Sequence, residues 1–296
     1  MTEKRFFTTE ISEPCFERDG LRHITVRTEN LPGRGDMTVY VPSLENIHDV
    51  PIVILLHGVY GSSWCWPLKA GVHLTAQKMI KDGLIGPMVL AMPSDGLWRD
   101  GSGFLPHKDG YDYEKWIVED VPDAVRQEIK ITSTKSPLFI TGFSMGGFGA
   151  MRIGAGYPHL FKAFSGLSSI TEFEQFSNWY ENGDISEIAA NVSHQTSVLE
   201  SMLKNKDNLP AFLFDCGADD ILIEANRKLN VDLSANNITH VYNEYAGEHN
   251  WAYWMEHIRE HLLFFNKQLV LSVYALLKNY PTSSIGFRYG ASWNQQ

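Results

Sequence analysis

The run Thr141-Gly142-Phe143-Ser144-Met145-Gly146-Gly147-Phe148-Gly149-Ala150 sets one serine among four glycines and no charge. It contains the spacing Gly142-x-Ser144-x-Gly146, directly after the apolar stretch "LFIT". A strand that turns sharply into a helix at such a serine lifts the hydroxyl clear of the sheet. The turn strains the serine backbone, and glycines two residues to either side let neighbouring chain pass close by. The helix N-terminus then favours negative charge at the hydroxyl. The competing reading is a small-residue packing turn, and the rest of the chain must decide.

A nucleophilic serine needs a base, and the base needs a group that orients it. In a strand–turn–helix fold of this kind the order is serine, acid, histidine. "FLFDCGADDIL" ends an apolar run with two carboxylates, Asp219 and Asp220, whereas Asp215 falls inside the run. Asp220 is the preferred acid and Asp219 competes; Asp220 also suits the N-cap of a helix over "ILIEANRKL". "YAGEHNWAYW" then supplies His249, the one histidine of 11 that sits after a strand following the acid. An oxyanion needs two N–H donors. One is the amide of Met145, next to the nucleophile, and the other is expected from the loop His57-Gly58-Val59-Tyr60-Gly61. His57, at a strand end, reads as a structural hydrogen-bonder rather than a base.

The elements that must hold these groups follow from periodicity. "LRHITVRT" and "DMTVYVP" alternate and predict an antiparallel pair turning at "NLPGRG". "PIVILLHG" is apolar throughout, as a strand covered on both faces would be. "PMVLAMP", "SPLFITG", "KAFSGLS", "PAFLFDCG" and "THVYNEYAG" are further strands. Helical periods lie between them: "LTAQKMIKDGL" stopped at Gly83, "KWIVEDVPDAVRQEI" with Pro122 near a first turn or kink, "ILIEANRKLNVDLSANN", and a long final helix from Trp251. The alternation predicts an α/β class, with a mostly parallel mixed sheet and helices on both faces. Ligands gather beyond the carboxyl ends of such strands, where every candidate above falls. Residues 169–208, ahead of the acid-bearing strand, exceed a normal connection and predict a partly helical, lid-like insertion in one domain spanning 1–296.

Together "LLHGVYGSSWCW", "GFSMGGFGA", "CGADD" and "GEHNW" resemble the putative-esterase family of α/β-hydrolases, which includes esterase D, tributyrin and feruloyl esterases and the antigen 85 mycolyltransferases. The motifs stand in the family's order across nearly the whole chain. The resemblance implies the α/β-hydrolase fold, with Ser144 as nucleophile and His249 as base. It implies Asp220, the last residue of Gly217-Ala218-Asp219-Asp220, as the acid. It implies amides of Val59 and Met145 as the oxyanion donors. The expected activity is that of a serine carboxylic-ester hydrolase on short-chain acyl or aryl esters, without cofactor or metal. The alternatives on the same residues are an acyltransferase and an S-formylglutathione hydrolase-type thioesterase; the non-enzyme alternative is an idle binding module. The Ser-Gly-Leu-Thr-Cys loop of the esterase D subgroup is absent here, which weighs against the thioesterase. Tyr60, Trp64, Trp66, Trp98, Tyr180 and Trp251 are candidate walls for an acyl chain or ring, against a reading in which they pack the insertion onto the sheet.

Composition narrows the partners. A net charge of −10 and no basic stripe argue against phosphate backbones and anionic lipid. No apolar run reaches membrane-spanning length and the N-terminus lacks a signal-peptide core. Three cysteines without paired spacing suit a reducing, cytoplasmic setting, so the two N-x-[ST] sequons are chance matches. A small ester is the expected partner, and self-association as a homo-oligomer stays open. His257-x-x-Glu260-His261 matches a zinc-protease spacing but falls on a helix read as carrying a solvated charged stripe. Gly147-x-Gly149 lacks the third glycine of a dinucleotide fingerprint, because Arg152 occupies it. Cys216 reads as a buried, apolar-type thiol. The tail after about Pro281 has no assignable counterpart.

Overall fold

The computed structural model describes residues 5–44 and 46–278, with side chains to Leu271. The tail without an assignable counterpart lies outside the described residues.

The strands are β1 (Thr8–Ile11), β2 (Leu21–Arg27), β3 (Arg34–Tyr40), β4 (Ile52–Leu56), β5 (Val89–Pro93), β6 (Leu138–Gly142), β7 (Phe161–Leu167), β8 (Ala211–Gly217) and β9 (Val241–Tyr245). The helices are α1 (Cys65–Lys69), α2 (Val72–Lys81), α3 (Tyr113–Lys115), α4 (Val121–Glu128), α5 (Met145–Gly156), α6 (Ser186–Asn191), α7 (Val198–Lys204), α8 (Ile223–Ala235) and α9 (Trp251–Lys278). One sheet runs in the order β1-β2-β3-β5-β4-β6-β7-β8-β9. Pairing is antiparallel from β1 to β5 and parallel from β4 to β9. This is the α/β-hydrolase fold, with the mixed sheet that the sequence predicts. The short edge strand β1 carries no alternation strong enough to be read in advance.

The sheet is buried on both sides, and β4 and β5 at its middle are apolar at every position. Ile52, Ile54 and Leu56 of β4 enter one core, and Val53 and Leu55 enter the other. α5 and α8 cover the first face through Phe148, Met151, Leu229 and Leu233. α2 and α9 cover the second through Val72, Ala76, Trp254, Ile258 and Leu262. α2 stops as expected: Gly83 takes φ +71°, and Leu84 N–H reaches back to Met79 O at 2.9 Å. Pro122 sits in the first turn of α4, behind a π-turn at Trp116–Asp120.

Residues 168–210 join β7 to β8 through 3₁₀ turns and the short helices α6 and α7. Val198 N–H bonds Thr171 O at 3.0 Å, closing this segment on itself.

Candidate active site

Ser144 follows β6 at φ 55°, ψ −120°, outside the ordinary regions for a residue with a side chain. Its N–H bonds Leu167 O of β7 at 3.0 Å, and Phe148 N–H bonds Ser144 O at 3.0 Å, so the turn is fixed from both sides. The flanking glycines are steric requirements. A Cβ on Gly142 would stand 2.8 Å from Leu56 O, and one on Gly146 would stand 2.6 Å from His57 O. Ser144 is 2% exposed.

His249 reaches it from the loop after β9. Its Nε2 lies 3.0 Å from Ser144 Oγ, and its Nδ1 lies 2.9 and 3.0 Å from the two oxygens of Asp220. Asp220 follows β8, its side chain fully buried. One of its oxygens also accepts Leu222 N–H at 2.8 Å, which ties the carboxylate to the turn that opens α8. Asp219, its sequence neighbour, is exposed. Two backbone bonds stitch the acid and histidine loops together, Ala218 N–H to Tyr245 O at 2.8 Å and Asp219 N–H to Gly247 O at 3.0 Å. The structure therefore brings Ser144, His249 and Asp220 into one hydrogen-bonded line.

Behind the acid, Asp215 of β8 is fully buried and accepts from Tyr253 Oη at 3.0 Å. His261 Nε2 lies 2.7 Å from its other oxygen. The expected solvated stripe on α9 is thus corrected at His261, which is fully buried because its helix face packs on the sheet around Asp215. His257 stacks on Tyr245 at 4.3 Å. Among the described residues no cluster has the composition of a metal site. Cys216 is buried, and burial pushes its thiol far above the usual range.

His57 is 1% exposed, and its Nε2 accepts Asp95 N–H at 3.1 Å. A backbone amide can only donate, so the ring proton stands on Nδ1, which donates to Gly58 O at 2.7 Å. That carbonyl shares a planar peptide with the Val59 N–H, which points the opposite way. Neither Val59 N–H nor Met145 N–H donates to an acceptor among the described residues.

A cavity of about 340 Å³ opens beside Ser144 and His249. Of the six aromatic candidates, Tyr60, Trp64 and Trp251 line it. The other three do not. Trp66 is 1% exposed and donates its indole N–H to Leu56 O at 3.0 Å. Trp98 packs edge-on against His107 at 4.9 Å. Tyr180 is buried and bonds Gly101 O. Loop position in the sequence places an aromatic near the sheet edge but not the direction of its ring. The cavity also has walls that the sequence reading omits, Phe143, Trp179 and Trp254. Trp179 and Trp254 flank the His249 ring at 5.0 Å each. Trp254 lies three residues beyond Trp251, one helical turn along the same face, a signal that could have been read. Trp179 adjoins Tyr180, and nothing in the sequence separates their directions.

A hydroxyl on a strained strand–helix turn, a histidine poised on it and a sheet of this order together define a hydrolase of the α/β class. The chain belongs to the "Putative esterase" family, which it matches over residues 28–265. It is a serine esterase, a carboxylic-ester hydrolase. It is 24% identical over 220 residues to an acetyl esterase of Caldicellulosiruptor saccharolyticus, covering 69% of this chain and 79% of that one. Two solved structures share the fold. The fluorophosphonate-binding serine hydrolase F of Staphylococcus aureus has a TM-score of 0.70 at 20% identity, covering 82% of this chain and 96% of its own. The S-formylglutathione hydrolase of the same organism has a TM-score of 0.70 at 20% identity, covering 86% and 98%. Among the described residues no helix is long and apolar enough to cross a membrane.

Proposed function

We propose that the chain hydrolyses short-chain acyl or aryl esters through a Ser144–His249–Asp220 triad and an acyl-enzyme. The observation that carries this reading is the pair of contacts made by one imidazole, 3.0 Å to Ser144 Oγ and 2.9 Å to Asp220. His249 Nε2 takes the Ser144 proton as Oγ attacks the ester carbonyl. The oxyanion that forms accepts from the Val59 and Met145 amides, whose donors are otherwise unused. The protonated His249 passes its proton to the departing alcohol. Water then attacks the acyl carbon while giving a proton to the same nitrogen, and the acid leaves as that proton passes to Ser144 Oγ. Asp220 holds the proton on Nδ1 and stabilises the imidazolium. No step asks for a metal or organic cofactor.

His57 has a supporting part in this scheme. By anchoring Gly58 O it sets the direction of the Val59 N–H. We read the chain as one α/β-hydrolase domain, in which residues 169–208 cover the cleft. The packing of Trp179 against the His249 ring, centroids 5.0 Å apart, supports that cover. The unpaired cysteines suit a cytoplasmic setting.

The test is p-nitrophenyl acetate hydrolysis together with intact-protein mass. Wild type should show an added acetyl group on Ser144 after rapid acid quench, and Ser144→Ala should show neither adduct nor turnover. Undiminished turnover in Ser144→Ala would end this reading. Addition of glycerol or a sugar separates hydrolysis from acyl transfer, because a transferase would divert the acetyl group to the alcohol. Removing the cover and finding the same substrate profile would count against its role.

A further inference from the structure

Among the residues lining the cavity beside Ser144, Lys69 alone carries a permanent charge. It ends α1, and its ammonium lies 5.1 Å from the Trp251 ring centroid. Such a contact holds a cation against an aromatic face without neutralising it. Lys69 is exposed, and among the described residues no carboxylate pairs with it, although the chain carries 35 acidic residues against 25 basic ones. Trp254 stands in the same wall as a 6% exposed aromatic surface, its indole N–H shut away from the open space. No Asp or Glu lines the cavity.

These features select against two kinds of ligand. A cationic ester would suit the tryptophan walls taken alone, but the ammonium of Lys69 repels it. A wholly apolar ester would leave the unpaired ammonium of Lys69 unanswered. An anionic group on the ligand answers it. The overall charge of −10 opposes anions at long range, yet salt screens that field beyond about 10 Å. Inside the cavity the nearest charge decides.

We propose that the cavity takes esters bearing a carboxylate remote from the scissile carbonyl, with Lys69 as the residue that selects them. This rests on the esterase reading above. The carboxylate can arrive on the acyl part, as in a half-ester of a dicarboxylic acid, or on the leaving alcohol, as in an acylated hydroxybenzoate.

The experiment measures kcat/KM for two pairs of esters on wild type, Lys69→Met and Lys69→Arg. Phenyl hydrogen adipate against phenyl hexanoate tests the acyl side, and 4-acetoxybenzoate against 4-acetoxybenzamide tests the alcohol side. In one pair the wild type should prefer the anion. Lys69→Met should lower that preference about fivefold through KM, in keeping with an exposed charge pair, while the neutral ester changes less than about twofold. Lys69→Arg should keep the preference, and about 0.5 M NaCl should weaken it in wild type alone. The inference falls if wild type prefers neither anion, or if Lys69→Met slows anionic and neutral esters alike. A binding titration on Ser144→Ala separates this from failure of the esterase reading. There, tryptophan fluorescence should report tighter binding of the uncleaved anionic ester than of its neutral partner in at least one of the two pairs, and Lys69→Met should abolish the difference. Equal binding within both pairs would overturn the inference even in a protein that cleaves no ester.

Discussion

His249 Nε2 meets Ser144 Oγ at 3.0 Å across 105 residues of chain, while Nδ1 of the same ring lies 2.9 Å from Asp220, fully buried. One ring thus joins a half-open cleft to a closed interior. Its proton can leave on one side only, because the other is held by a carboxylate that water does not reach.

Asp219 and Asp220 are adjacent and chemically alike, so their exchange is a clean comparison. Asp220→Asn should cut kcat for p-nitrophenyl acetate by about 10⁴-fold, because the amide favours the wrong tautomer. Asp219→Asn, on an exposed side chain, should stay within about twofold. A large loss in both, or in neither, would remove Asp220 from its role.

Gly146→Ala should damage the fold as well as the chemistry. Its new Cβ would stand 2.6 Å from His57 O, a backbone atom at the end of β4 that has little room to yield. A loss of about 3 kcal/mol is expected by calorimetry, against little change in Ser144→Ala. An unchanged melting temperature in Gly146→Ala would show that the turn is looser than its geometry implies.

His57→Gln should lower kcat by about 10²-fold with KM nearly constant, since an oxyanion donor is misdirected but the acyl and alcohol contacts remain. The shape of the pH–rate profile should stay that of wild type if, as proposed, the base is His249. A shifted acid limb in His57→Gln would instead make His57 a proton carrier.

His107 is 4% exposed, and burial is the main reason its pKa falls below the usual histidine value, against opposing pulls from Ser102 O and nearby aspartates. The unfolded chain therefore binds a proton on this ring at a higher pH than the folded one does. The stabilisation is present in full above the unfolded value of 6.5 and is lost as pH falls through it toward the lowered folded value. Urea unfolding between pH 7.5 and 5 should show stability falling with acid by at most about 1.4 kcal/mol per pH unit from this group. His107→Gln should flatten that slope, and an equal slope in both proteins would discount the ring.

Much of this was legible in the sequence because strand ends carry their chemistry in order. The uninterrupted apolar run of β4 could only be a strand covered twice, and the glycines around Ser144 could only tolerate backbone on both sides. Asp220 and His249 were accessible for the same reason, as polar groups just past apolar strands. The walls of the cleft were not. Trp66 and Trp64 differ by two positions, yet one bonds Leu56 O in the core and the other faces the substrate space. That difference is set by the path of α1 over the sheet, which no local pattern encodes. His261 was hidden likewise: its partner Asp215 lies 46 residues away, inside a strand, and no local pattern pairs the two.

That buried contact has a mechanical meaning. β8 delivers Asp220 at its end, α9 begins beside His249, and the bonds of Asp215 to His261 and Tyr253 pin the strand to the helix. Asp220 and His249 therefore hang from a single braced corner rather than from two independent loops. A heated sample should hold its turnover until the sheet itself gives way, and then lose it in one step.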